Sequence, residues 1–210
     1  MPKVKVARKS TAVDMTAMCD VAFLLLTFFI LTTKFKPKEP VAVDIPSSHG
    51  KQITAKEIVL ITVSKDGKVF WDTDNPQVRQ NTLEQMGERY QMQFSSDEYT
   101  RFKNAGAVGV PMKDIKGWLA LEPDKRNNPA NLKGIPTDTT LVGNELGDWL
   151  ISSKKAYQGI LNKPAIIAIK GDKATDYPFV RAVVKTFELK KIYRFNFVTS
   201  LEGKAETAAK

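Results

Sequence analysis

A single cysteine, Cys19, and a single histidine, His49, are all that the chain has of the two residue types behind most metal and nucleophile chemistry. One cysteine excludes an intramolecular disulfide. Together the two counts exclude most metal sites and every Cys-His or Ser-His constellation, apart from one built on His49 itself. His49 lies in Pro46-Ser-Ser-His-Gly50, a turn-like stretch that reads as an exposed loop. Internal repeats are lacking, and so is any recognised nucleic-acid-binding motif. No cofactor and no metal are expected. Long apolar runs are scarce as well: there is one.

That run lies in Ala12 to Thr33, AVDMTAMCDVAFLLLTFFILTT. As a helix, its 22 residues extend about 33 Å, which matches a hydrocarbon core about 30 Å thick. The stretch therefore predicts one membrane span. Asp20 opens the apolar run, and an acid at the centre of a span costs about 2.5–3.5 kcal/mol. Residues four, seven and eleven apart share a helix face, so Thr16, Asp20, Leu24, Thr27 and Leu31 form one stripe. Asp14 lies about 120° away and close to the expected membrane boundary. Starting the span at Val21 instead would leave about 13 residues before Lys34, too few to cross. Asp20 is thus expected to face a partner helix or a water-filled seam.

The net charge is +9 over 210 residues, of which 42% are hydrophobic, so the part outside the span can bury a core. A basic surface invites anionic lipid, acidic wall polymers or nucleic acid, and the missing motifs put nucleic acid last. The basic start followed by an apolar run imitates a secretory signal. Asp14 and Asp20 interrupt that pattern, and Leu31-Thr-Thr-Lys-Phe35 offers no small-x-small cleavage site, so a retained anchor is expected. Lys3, Lys5, Arg8 and Lys9 precede the span while Lys34, Lys36 and Lys38 follow it, so charge alone orients it little.

Beyond the span, residues 34–56 read as a linker containing a short strand, Val41-Ala-Val-Asp-Ile45. Glu57 to Val63 and Lys68 to Trp71 flank Ser-Lys-Asp-Gly67, which is a hairpin by turn chemistry. Thr82-Leu-Glu-Gln85 fits a capping box and predicts a helix from about Leu83 to Phe94. A shorter helix follows over Ser96 to Asn104. Pro111, at a first helical position, opens another through Leu119. Glu122 to Thr140 reads as a long polar loop, and Asn144 to Lys155 as a helix. The end reads strand, helix, strand: Pro164 to Ile169, Tyr177 to Lys190, and Tyr193 to Thr199. That order predicts two parallel strands joined by a crossover.

Asp14-Met-Thr-Ala-Met-Cys-Asp-Val21, followed by the apolar run, resembles the (N/D)-x-T-P-x-x-D-V signature of the ExbD/TolR family of biopolymer transport proteins. Val43-Asp-Ile-Pro46, Ile61-Thr-Val-Ser-Lys-Asp-Gly67 and Ile169-Lys-Gly-Asp172 with Tyr177 resemble the family's later segments. Ala17 departs from the signature, standing where the family has proline. The resemblance implies an α/β (α+β) periplasmic domain with a mixed sheet, preceded by a single N-terminal transmembrane helix. It implies a cytoplasmic tail over residues 1–11, the helix over 12–33, the linker over 34–56, the domain over 57–202 and a tail over 203–210. An insertion around 95–155, relative to the family's minimal form, has no assigned role. Asp20 is implied as the proton carrier, with Thr16, Thr27 and Asp14 in support. The implied location is the bacterial inner membrane, single-pass, with the N-terminus cytoplasmic. The implied partners are a pentameric multi-span proton-channel subunit of the ExbB/TolQ/MotA type, a TonB-like protein, a second copy of the chain, and peptidoglycan as an additional candidate.

Three functions compete on the residues. The first is an energy-transducing subunit of an ExbB–ExbD type motor that powers TonB-dependent outer-membrane transport, or its TolR-like counterpart in envelope integrity. The second is a membrane-anchored peptidoglycan-binding protein with an inert anchor. The third, an anchored enzyme, has only the carboxylate pairs Asp72/Asp74 and Asp97/Glu98 to draw on, and these read as a solvated loop and a helix start. No enzymatic activity is expected.

Overall fold

The computed structural model describes residues 15–32, 47–48, 58–137, 143–198 and 200–201. The chain divides into two compact units, residues 1–36 and 37–210. The first contains helix α1, Met15–Thr32. Its side chains are apolar on nearly every face, it has no buried residue, and it is long and apolar enough to cross a membrane.

The second unit is built on a mixed sheet. A two-residue strand β1 (Ser47–Ser48) precedes the hairpin of β2 (Ile58–Val63) and β3 (Val69–Thr73). Gly67 takes a φ of +74°, which the turn requires and a side chain would resist. After β3 come α2 (Pro76–Arg89), α3 (Ser96–Lys103), α4 (Ile115–Ala120), α5 (Pro123–Arg126) and α6 (Glu145–Leu161). Then β4 (Ile166–Gly171), α7 (Tyr177–Leu189), β5 (Asn196–Val198) and β6 (Ser200–Leu201) complete the unit. The four-stranded sheet runs β3-β2-β4-β5, with β2 and β3 antiparallel and the other pairs parallel. The strand–helix–strand end thus gives the expected parallel pair. β1 and β6 pair separately, with Ser47 opposite Ser200.

Burial explains the layout. Val59, Ile61 and Val63 alternate inward along β2, and Trp71 of β3 is wholly buried with Phe102 and Trp149. The Trp71 and Trp149 ring centroids lie 5.0 Å apart, and Trp71 Nε1 donates to Ser153 Oγ at 2.9 Å, so the indole is buried with its donor satisfied. Tyr157 Oη donates to Ile58 O at 3.2 Å and lies 2.6 Å from Thr73 Oγ1, pinning α6 to both hairpin strands.

Three expectations are corrected. The helix foreseen from Leu83 to Phe94 begins at Pro76 and ends at Arg89. Asn75 caps it, its Oδ1 accepting from Gln77 N (2.9 Å) and Val78 N (3.1 Å), while Thr82 sits buried inside it and donates to Val78 O. Asn-Pro was the stronger start signal. Secondly, Glu122 to Thr140 is not all loop: α5 and a 3-10 turn over Pro129–Asn131 interrupt it. Thirdly, α6 runs to Leu161 rather than Lys155 because Ala156 and Tyr157 continue its buried face.

Val108 and Ile135, within the stretch for which the sequence suggested no role, cover the outer edge of β3. Trp71 and Val108 exchange backbone hydrogen bonds of 2.8 and 2.7 Å, and Ile135 N donates to Val69 O at 2.8 Å. An open strand edge is thereby closed. The same stretch supplies Phe102, Met112, Ile115, Leu119 and Trp149 to the core. The expected strand over residues 41–45 and the loop around His49 lie outside the described residues.

Candidate functional site in the apolar helix

Asp20 is the only acid or base in α1, and its carboxylate is exposed. It is the sixth residue of the described helix, so it sits about 8 Å along the axis from Met15. The insertion cost quoted for a helix centre is therefore an upper bound at this depth. Among the described residues the carboxylate has no hydrogen-bonding or ionic partner.

The stripe predicted from spacing holds on the observed helix. Thr16 stands one turn before Asp20, about 6 Å away along the axis, and Thr27 about 10.5 Å beyond it. Direct hydrogen bonding between Asp20 and Thr27 is excluded by that separation. Thr27 Oγ1 donates to Leu24 O at 2.9 Å, so its proton is committed to its own helix and it offers only acceptor lone pairs to a neighbour. Thr32 does the same toward Phe28 O at 2.8 Å. Asp14 lies outside the described residues. Cys19, beside Asp20, is a free exposed thiol.

The second unit gathers its charges differently. Asp72, expected in a solvated loop, instead pairs with Arg79, which also donates to Gly106 O at 2.7 Å and Thr73 O at 3.2 Å. The first turn of α2 folds back over the end of β3, which brings the guanidinium over the Trp71 and Phe102 rings at 5.6 and 5.7 Å. Burial pushes the Asp72 carboxyl up despite that cation. Asp97 and Glu98 do open a helix: Glu98 accepts from Ser95 N at 2.7 Å in a capping box. Asp148 is buried and joins three elements, meeting Arg89 at 2.8 Å, Lys190 at 3.3 Å and the Tyr90 hydroxyl at 3.1 Å. Sequence spacing gave no hint of that junction, because Tyr90 and Lys190 lie 58 and 42 residues from Asp148.

Glu145 is buried too, accepting from Met112 N at 2.7 Å. Burial is the largest influence on it and raises its pKa, so the native state holds its proton more tightly than the unfolded chain does. Stability contributed by this group is greatest at low pH and falls as pH rises from about 4.3 through the raised native value. Glu145→Gln keeps an acceptor for Met112 and cannot ionise. Thermal midpoints measured from pH 4 to 8 are expected to fall less steeply with pH in the variant. An unchanged slope would contradict this assignment.

A groove of about 740 Å³ between α7 and β5 has an apolar floor under Arg181, Lys185 and Glu188, and holds no cysteine, histidine or serine. Among the described residues no group of three or more His, Cys, Asp or Glu side chains could hold a metal ion.

Comparison with known proteins points one way. The family model described as "Biopolymer transport protein ExbD/TolR" matches residues 7–202. The biopolymer transport protein ExbD of Aquifex aeolicus (strain VF5) is 28% identical over 64 residues, which are 30% of this chain and 48% of that protein. The match thus spans about half the length of that relative. No solved structure matches.

Proposed function

Because the chain belongs to the ExbD/TolR family of biopolymer transport proteins, we propose that it is the single-pass subunit of a proton-driven inner-membrane motor, with Asp20 as the proton carrier. One observation carries this reading: an acid without a partner of its own, exposed on a helix otherwise fit for hydrocarbon. Such a group is retained for function or lost. A unit charge crossing 100 mV is worth about 2.3 kcal/mol, several times RT, so taking up and releasing a proton can bias a step of the helix against its surroundings.

In this reading α1 sits beside a second copy of itself, within a multi-span ExbB/TolQ-type partner whose interior meets the Asp20 stripe. Thr16 lines the same face, and Thr27 presents an acceptor further along it. Asp14 marks the boundary. The N-terminus is cytoplasmic and the second unit periplasmic, where it engages a TonB-like protein. The TolR-like version uses the same chemistry for envelope integrity.

Copurification from native membranes is the test of assembly. The chain is expected to carry a multi-span partner in excess over itself, and stable active monomers in lipid without such a partner would refute the proposal. Topology has its own test. Protease added to spheroplasts should digest the second unit, and protection of that unit would reverse the assigned orientation.

A further inference from the structure

We infer that Arg101 and Arg126 form a binding site for an oxyanion, a carboxylate or phosphate group gripped by both guanidinium groups. Arg126, on α5, is only 8% exposed. Its Nη1 donates to the backbone oxygen of Arg101 at 3.2 Å, and its Nε, fully buried, has no hydrogen-bond partner. Its own backbone oxygen accepts from Trp118 Nε1 at 3.1 Å, so the residue is fixed from both ends. Arg101, on α3, is exposed and spends one donor on Leu119 O at 3.4 Å. Among the described residues neither guanidinium makes an ion pair.

That arrangement is anomalous within this molecule. Arg79 and Lys190 are buried to a similar degree, and each meets a carboxylate, Asp72 and Asp148 respectively. An arginine does not shed its proton to escape burial. Burying it unpaired beside a second cation therefore carries a large cost. Burial first, and then the charge of Arg101, both press the Arg126 pKa below its ordinary value, and no acid opposes them. The surroundings are cationic as well: residues 101–133 carry seven lysines and arginines against Asp114, Glu122 and Asp124.

An oxyanion reverses each of these terms. It accepts from the remaining Nη donors of Arg126 and from those of Arg101, and neutralises a repelling pair. Free phosphate and the carboxylate of a peptide or glycan share that chemistry.

The experiment uses the full chain in detergent micelles and follows its thermal midpoint. Sodium phosphate or sodium succinate, at about 10 mM and matched in ionic strength against sodium chloride, is expected to raise the midpoint by about 2–4 °C over chloride. The increment should vanish in Arg101→Gln, whose site is exposed and tolerant. Arg126→Met should abolish it too, with a midpoint without added anion no lower than that of the unaltered chain, because an unpaired buried charge has been removed. If Arg126→Met fails to fold, Arg101→Gln decides. A larger response to phosphate assigns a phosphate ligand, and a larger response to succinate a carboxylate one. The same increment with chloride, no increment with either anion, or an increment preserved in Arg101→Gln would overturn the site.

Discussion

Asp20→Asn is expected to reduce energy-dependent transport to background while leaving expression, membrane insertion and partner binding nearly intact. Asn matches Asp in size and retains most of its hydrogen bonding, and being neutral it enters hydrocarbon more readily. What it loses is the proton. Since the carboxylate has no partner of its own on α1, its replacement disturbs no interaction within the helix, so a loss of activity would report the proton rather than the fold. Asp20→Glu titrates but is one methylene longer, and should retain part of the activity if the seam accepts the shift. Asp14→Asn should be much milder, because a spacing of six residues is expected to put Asp14 off the Asp20 stripe. The three variants are compared by proton flux in reconstituted vesicles, or by transport in cells. Normal activity in Asp20→Asn would remove the carrier role and leave the inert anchor with a wall-binding domain standing.

The candidate site was legible because it is a local pattern. One acid in an apolar run, with its neighbours at four and seven residues, is fixed by helix geometry alone, and α1 shows the same stripe. The hairpin was legible for a similar reason, Asp66-Gly67 specifying the turn between β2 and β3. What escaped the sequence depends on contacts between distant segments. Thr82-Leu-Glu-Gln85 has the residues of a capping box, yet the cap is Asn75, because the inward positions Val78, Leu83 and Met86 must all sit on one continuous helix. Asp72 read as solvated because nothing in its neighbourhood reveals that Phe102, from α3, will enclose its arginine. The covering of the β3 edge by Val108 and Ile135 is non-local in the same way, and no periodicity in residues 95–155 announces it.

Arg79→Ala should cause the largest loss of stability among single changes at charged positions of the second unit. The side chain is 5% exposed and serves four groups: the Asp72 carboxylate, the Gly106 and Thr73 carbonyls, and the aromatic pair Trp71 and Phe102. Its removal leaves the Asp72 carboxyl without its cation, two carbonyls unsatisfied, and a void beside the central tryptophan. Breaking a buried pair on one side costs about 3–5 kcal/mol. The Asp72 side chain is 31% exposed, so water recovers some of that loss and the low end applies. A drop of about 3 kcal/mol corresponds to about 6–12 °C in the thermal midpoint of a domain this size. Asp72→Asn should cost less, about 1 kcal/mol, because burial already disfavours the charged carboxyl and Arg79 keeps both carbonyls. Arg79→Met with Asp72→Leu should recover part of the loss, as apolar replacement of both partners leaves no stranded charge. The three proteins are compared by thermal denaturation of the full chain in detergent. If Arg79→Ala melted within 2 °C of the unaltered chain, the pair would be an incidental surface contact and the anchoring of α2 to β3 would rest on Val78, Leu83 and Met86 alone.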